Sequence, residues 1–170
     1  METIIFNNPS EVKKNKELLE HKLKVTIQIG GRKVAFEGSS FDEYEASIVL
    51  EAISFGFPAH TAILLKDEDV VFRRLSIKDF TRRRNLEIVK ARLIGTQGRT
   101  KHTIENLADC KIIINGNEIG IICLGEDIDY IITSLTNLIR GAKQANIYRF
   151  LEGINAQRKY IKKIKNRKAS

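Results

Sequence analysis

The sequence predicts an α+β fold of two small units packed together, and two observations carry that expectation. Twice the chain sets short apolar strands around a glycine-bearing turn, Gly30-Gly31 and Asn115-Gly116, and then continues into a segment with apolar residues at helical spacing. A loop bracketed by glycines, Gly95-Thr96-Gln97-Gly98, separates two helix-compatible segments in the second half only. A chain of 170 residues has room for one mid-sized domain or two small ones, and 42% hydrophobic residues suffice for a core, which excludes disorder throughout.

In the first half, residues 10–21 are polar and helix-permissive, with Val12, Leu18 and Leu19 as a thin apolar stripe. Leu23, Val25, Ile27 and Ile29 alternate with Lys24, Thr26 and Gln28, the pattern of a half-buried strand. Gly30-Gly31 suits a tight turn, and Val34 and Phe36 continue the apolar face on the return strand. Ser40 with Glu43 reads as a capping box, because hydroxyl and carboxylate can each accept from an unpaired amide at a helix start. Phe41, Ile48, Val49, Ala52 and Ile53 then mark an amphipathic helix ending at Gly56. Pro58 opens a short helix over 59–65, residues 70–77 read as a strand, and Thr81-Arg82-Arg83-Arg84 as the connection to the second unit.

In the second half, 86–89 reads as a short strand, 91–94 as one helical turn and 99–107 as a helix. Residues 111–114 and 119–124 are strands around Asn115-Gly116, and Ile128, Ile131, Ile132, Leu135, Leu138 and Ile139 follow core-helix spacing. Ile112, Ile113 and Ile114 are apolar on both faces of their strand, so something should cover the second face. The resulting order, βααββα with Gly-x-x-Gly between the first two helices, is similar to that of a type I KH domain. The expected organisation is a first unit over 1–80 without such a loop, which the family resemblance given below makes a degenerate KH-like domain, a KH unit over 81–152, and a basic tail over 153–170.

Charge is clustered rather than spread. Residues 73–101 carry a net +8 and 157–170 a net +7, whereas 1–72 carry −4 and 102–156 carry −3. Such clustering is the electrostatic footprint of a polyanion partner; the competing reading is a solubilising tail and a solvated linker. A glycine-bracketed loop at a helix start adds specificity, since it lets a sugar–phosphate backbone approach the main chain while helix amides face phosphate oxygens. The candidate RNA-binding residues are Ile94, Gly95, Thr96, Gln97, Gly98, Arg99, Thr100 and Lys101, with Arg82, Arg83, Arg84 and Arg92 beside them and Lys162, Lys163 and Lys165 in the tail. About four unpaired nucleotides would be clamped, their bases in an apolar groove of Ile94, Ile104 and the strand 112–114. Ile161 and Ile164 between the tail charges predict a segment that becomes helical along RNA.

Other chemistries find little support. His21, His60 and His102 are scattered, and His102, Thr103 and Glu105 diverge on one short helix, so no enzyme is expected. Cys110 and Cys123 lack a second pair at zinc spacing and read as buried thiols of an intracellular chain, with no metal or cofactor expected. The acidic trio Asp67-Glu68-Asp69 reads as a solvated turn. Apolar runs fall short of the roughly 18 residues of a membrane span, and the N-terminal charges follow the short apolar patch, the reverse of a secretory signal.

With these motifs in place the chain resembles the Dim/Partner-of-Nob family, two-KH factors of small ribosomal subunit assembly related to the Krr proteins. The most specific stretch, Gly98-Arg99-Thr100-Lys101-His102-Thr103-Ile104-Glu105-Asn106, is similar to the family's G-[KR]-T-K-x-x-I-E-N. Ile53-Ser54-Phe55-Gly56-Phe57, Ala62-Ile63-Leu64-Leu65 and Asp67-Glu68-Asp69 extend the likeness, which runs from about residue 12 to 152. The resemblance implies a first KH unit reduced to its second helix, sheet and third helix. It also implies binding to small-subunit pre-rRNA near its 3′ end, with the Nob endonuclease, the Dim dimethyltransferase and other pre-ribosomal particle proteins as partners and no membrane. The implied compartment is the nucleolus and nucleus with cytoplasmic shuttling in a eukaryote, and the cytoplasm in an archaeon. A KH regulator of messenger RNA, or a protein adaptor with little RNA contact, are the alternatives. Two departures stand out: Thr96 replaces a basic loop residue, and residues 141–148 replace a proline-containing segment.

Overall fold

The structure is a computed structural model that describes residues 1–169. The chain divides into two compact units, Met1–Arg74 with Gly120–Gly125, and Leu75–Ile119 with the chain from Glu126 onward.

The first half runs β1 (Glu2–Ile5), α1 (Ser10–Lys14), α2 (Lys16–Leu23), β2 (Thr26–Gly30), β3 (Lys33–Glu37) and α3 (Ser40–Phe55). Its sheet has the order β1-β3-β2, antiparallel throughout, with Ile27 opposite Phe36 and Ile29 opposite Val34. Ile27, Val34 and Phe36 are buried with Leu19 and Leu23 of the helices and Val49, Leu50 and Ile53 of α3. The next elements are α4 (Ala59–Ala62), a 3-10 turn over Ile63–Lys66, β4 (Val70–Ser76) and a 3-10 turn over Ile77–Phe80. The second half continues with α5 (Leu86–Ile94), a 3-10 turn over Thr96–Gly98, α6 (Arg99–Ala108), β5 (Lys111–Asn115), β6 (Glu118–Leu124), a 3-10 turn over Gly125–Asp127, α7 (Ile128–Ile139) and α8 (Gln144–Ala169). The second sheet has the order β4-β6-β5, the same permutation of first, third and second strand as the first sheet.

The order β-α-α-β-β-α therefore occurs twice, and several expectations need correction. Residues 86–89 are not a strand but the start of α5. Asn85 Oδ1 accepts from the Glu87 amide at 3.1 Å and caps the helix, and Leu86, Val89 and Leu93 lie at i, i+3 and i+7. The strand that opens this repeat is β4. Nor is the first half reduced to its last elements, since β1 and α1 are both present. What it lacks is the loop: Asn15 alone separates α1 from α2, its amide side chain donating to the Glu11 carbonyl at 2.9 Å and to Glu11 Oε1 at 3.1 Å.

Leu23 belongs to the end of α2 rather than to the strand, which starts only after Lys24 in the left-handed conformation (φ 57°) and Val25. The cap of α3 sits one residue earlier than the spacing predicts. Ser39 Oγ accepts from the Asp42 amide at 3.1 Å while Glu43 Oε1 accepts from the Gly38 amide at 3.1 Å. That backbone bond, followed by the bond to the chain's own amino terminus, holds the Glu43 carboxyl below its ordinary pKa against the opposing cost of desolvation. Phe41, one of the residues that mark the amphipathic pattern of α3, is 66% exposed. The C-terminal segment is already helical without RNA, as the continuation of α8.

Candidate nucleic-acid interface

Helix α5 stops because Gly95 takes φ 75°, ψ 174°, a conformation open essentially to glycine alone, with its amide still donating to the Ala91 carbonyl at 2.8 Å. The chain then reverses through a tight turn, with the Gly98 amide donating to the Gly95 carbonyl at 3.2 Å and both Gln97 (φ 56°) and Gly98 (φ 76°) in the left-handed region. Helix α6 starts directly after Gly98, which offers no side chain to cap it. Thr96, Gln97 and Arg99 are exposed, so the loop is open to solvent at the head of a helix whose first amides point outward.

The two glycines serve different ends. A Cβ on Gly95 would stand 2.2 Å from Thr100 Oγ1 and 2.7 Å from the Thr100 amide nitrogen, so Gly95 is required by close packing inside the turn. A Cβ on Gly98 would meet only the His102 ring, at 3.4 Å. Close approach of a ligand is therefore a role left to Gly98 and its exposed neighbours.

The remaining predicted residues separate into free and committed groups. Arg82, Arg83, Arg84, Arg99, Lys162, Lys163 and Lys165 are exposed, and Ile94 is 38% exposed. Thr100 is buried, its hydroxyl accepting from Gln144 Nε2 at 3.2 Å, so its side chain cannot reach a phosphate. Arg92 is tied to the Ala142 carbonyl through Nη2 at 2.8 Å. Lys101 Nζ lies 3.2 Å from Glu105 Oε1, and its stem shares an enclosed apolar recess with Leu93, Ile104, Ile112 and Ile114. The expected base groove is narrower than predicted, because Ile104 and Ile112 are core residues, 0% and 3% exposed. Ile94 and the half-buried Ile113 and Ile114 are its accessible members.

Three sets of supporting contacts are not evident from the sequence. Gln144 donates to Thr100 and, at 3.5 Å, to the Arg92 carbonyl, so the 141–148 segment braces the junction of α5 and α6. Glu105 accepts from the Ile112 amide at 3.1 Å through Oε2, pairs with Lys101 and lies 3.2 Å from His102 Nδ1, which joins α6 to β5. Asp127, 1% exposed, holds Arg158 Nη2 at 2.7 Å, while Arg158 Nη1 donates to the Tyr130 hydroxyl at 2.9 Å. Desolvation opposes the charge on Arg158, but attraction to Asp127 and Tyr130 outweighs it and holds the guanidinium pKa above its ordinary value. One cation counted with the tail is thus committed to anchoring α8. Only the family motif's Ile-Glu-Asn ending marked Glu105 in advance; the other two contacts join residues 31 and 44 positions apart.

Cys110 and Cys123 are buried and not disulfide-linked. Among the described residues no cluster of His, Cys, Asp or Glu could hold a metal, and no helix is long and apolar enough to cross a membrane.

Two helices joined by a glycine-bracketed loop, carried on a three-stranded sheet and completed by a third helix, define a KH domain of type I. Residues 71–156 match the family model for the second KH domain of Pno1, described as a eukaryotic-type KH domain, KH-domain type I. The chain belongs to the Pno1/Dim2 family of two-KH proteins. It is 31% identical over 152 residues to the pre-rRNA-processing protein pno1 of Emericella nidulans, which covers 84% of this chain and 59% of that protein. The chain spans about half the length of the curated relatives it matches. In fold it is similar to a protein of unknown function from Aeropyrum pernix, with a TM-score of 0.82, 24% identity and coverage of 99% and 98% of the two chains. Dim2p of Pyrococcus horikoshii, solved in a complex with a/eIF2alpha and rRNA, gives a TM-score of 0.78 at 22% identity over 92% and 94%.

Proposed function

We propose that the chain is an RNA-binding assembly factor of the small ribosomal subunit that clamps single-stranded pre-rRNA near its 3′ end through residues 94–101. The observation that carries this reading is the solvent-open loop at the head of α6, with Arg99 and the Arg82–Arg84 run exposed in the same unit. Support also comes from a relative named as a pre-rRNA-processing protein and from a fold neighbour solved with rRNA. The chain's own surface then supplies amides and cations for phosphates, and Ile94 for base contact. It performs no chemistry on the RNA. The Nob endonuclease, the Dim dimethyltransferase and pre-ribosomal proteins are its proposed partners. Its proposed place is the nucleolus and nucleus in a eukaryote, with passage to the cytoplasm, and the cytoplasm in an archaeon.

The test is a Thr96→Asp, Gln97→Asp double variant. Both side chains are exposed, so the fold stays intact while two carboxylates stand where phosphate must lie. Affinity for a single-stranded oligonucleotide from the 3′ end of small-subunit rRNA is expected to fall more than about tenfold. Unaltered binding, with an unchanged unfolding curve, would remove the loop from the mechanism. Crosslinking in cells followed by sequencing of the attached RNA separates this reading from a regulator of messenger RNA.

Ending the chain after Tyr160 keeps the Arg158 anchor and removes five cations, Lys162, Lys163, Lys165, Arg167 and Lys168. Binding should weaken alike for all sequences, and the salt slope should flatten by about 0.7 for each phosphate that is no longer neutralised. A plot of log affinity against log salt for the two chains reads this directly, and parallel lines would show that these cations are merely solvated.

A further inference from the structure

One side of α3 faces away from the core of the first unit. Phe41, Tyr44, Ile48 and Glu51 follow one another at i, i+3, i+7 and i+10, a single helical stripe, whereas Ala46, Val49, Leu50 and Ile53 are buried. Phe41 is 66% and Tyr44 64% exposed. Between this stripe and residues 65–73 runs an open groove of about 530 Å³, with Leu65, Val71 and Phe72 among its lining.

The groove is acidic. Glu45, Glu51, Asp67 and Glu68 line it against two cations, Lys66 and Arg73. Lys66 is already engaged, 3.8 Å from Glu45 and donating to the Lys22 carbonyl at 2.5 Å, and Arg73 Nη1 donates to the Phe72 carbonyl at 3.2 Å. Two neighbouring aromatic rings held in water beside an apolar cleft mark an interaction surface rather than a hydrated face. Carboxylates at the rim repel a phosphate backbone, so nucleic acid is the wrong occupant.

We propose that this groove docks a basic segment of a partner protein, whose aliphatic or aromatic anchor lies against Phe41 and Tyr44 while flanking Lys or Arg residues meet Glu51 and Glu68. The apolar stripe supplies the anchoring contact, and the acidic rim selects the sign of the partner and speeds its capture. The site lies wholly within the first unit and stands independently of the RNA clamp proposed for residues 94–101.

The test titrates the isotope-labelled chain with three synthetic peptides of equal length, followed by amide chemical shifts. One alternates Lys or Arg with Leu or Phe, the second has Glu in place of every cation, and the third is oligolysine. Only the first is expected to shift amides in 41–51 and 65–73. Phe41→Ser with Tyr44→Ser, and separately Glu51→Lys with Glu68→Lys, should each weaken it at least about tenfold. Both pairs are solvent-facing, and an unchanged spectrum away from the groove shows that the unit remains folded. Equal response to oligolysine, no response of these amides to the first peptide, or shifts there on adding single-stranded RNA would each overturn the proposal. The Thr96→Asp, Gln97→Asp variant should bind the first peptide like the parent chain, so failure of the RNA clamp and failure of this groove are told apart.

Discussion

Replacing Gly95 by Ala is expected to lower the unfolding free energy by about 3 kcal/mol, whereas Gly98→Ala costs about 1 kcal/mol. Two effects add at Gly95. Its φ 75°, ψ 174° conformation is closed to a residue with a Cβ, and that Cβ would overlap Thr100 Oγ1 at 2.2 Å and the Thr100 amide at 2.7 Å. Thr100 cannot retreat, being buried and hydrogen-bonded to Gln144. At Gly98 only the left-handed backbone is costly, because its nearest neighbour is the exposed His102 ring at 3.4 Å. Urea unfolding of the two variants separates the effects by their midpoints. Equal midpoints would mean that the turn relaxes around Gly95 and that the Thr100 contact does not constrain it. RNA affinity should be lost with Gly95→Ala as a consequence of the distorted turn, and Gly98→Ala should reduce it with only its smaller loss of stability.

Glu105→Ala is expected to cost about 2–3 kcal/mol. Its carboxylate, on a side chain 11% exposed, accepts from the Ile112 amide and pairs with Lys101, so truncation strands a backbone donor at the start of β5. Glu105→Gln keeps an oxygen for the amide but loses the charge, and should recover more than half of the loss. Midpoints measured at low and high salt apportion the rest, since the Lys101 pair weakens with screening and the backbone bond does not. A cost under about 0.5 kcal/mol for Glu105→Ala, the range of an ordinary surface substitution, would show that water takes over the Ile112 amide.

Much of the architecture could be read from the chain because its signals are local. Asn115-Gly116 sits at the turn between β5 and β6, and Ile128, Ile131, Leu135 and Leu138 are buried along α7 as their spacing predicts. The misreadings arise where a short apolar run is compatible with either period. Leu86-Glu87-Ile88-Val89 shows four residues of strand-like composition, and only the Asn85 cap and Leu93 a turn later decide for helix. Leu23 fell into an alternating pattern because a helix end happened to abut a strand in phase. β1 is four residues long and its apolar Ile4 and Ile5 give no alternation, so only pairing with β3 reveals it.

The candidate loop itself was legible, since its glycines and neighbouring cations are contiguous. The reason for Gly95 was not, because it depends on how tightly Thr100 folds back over it. The exposure of Phe41 is hidden from the sequence for a related reason: periodicity marks a face as apolar without saying whether the body or a partner covers it.

Helix α8 runs for 26 residues without a break, braced near its start by Gln144 and pinned again at Arg158. At 1.5 Å per residue, Lys163 stands roughly 28 Å along the axis from Gln144. The lysines past the second pin are therefore displayed at a set distance from the glycine turn, as graduations on a measuring rod. If the proposed RNA clamp uses both, an oligonucleotide too short to reach from one mark to the other would meet a single row of cations, and affinity should step up once the unpaired strand spans both.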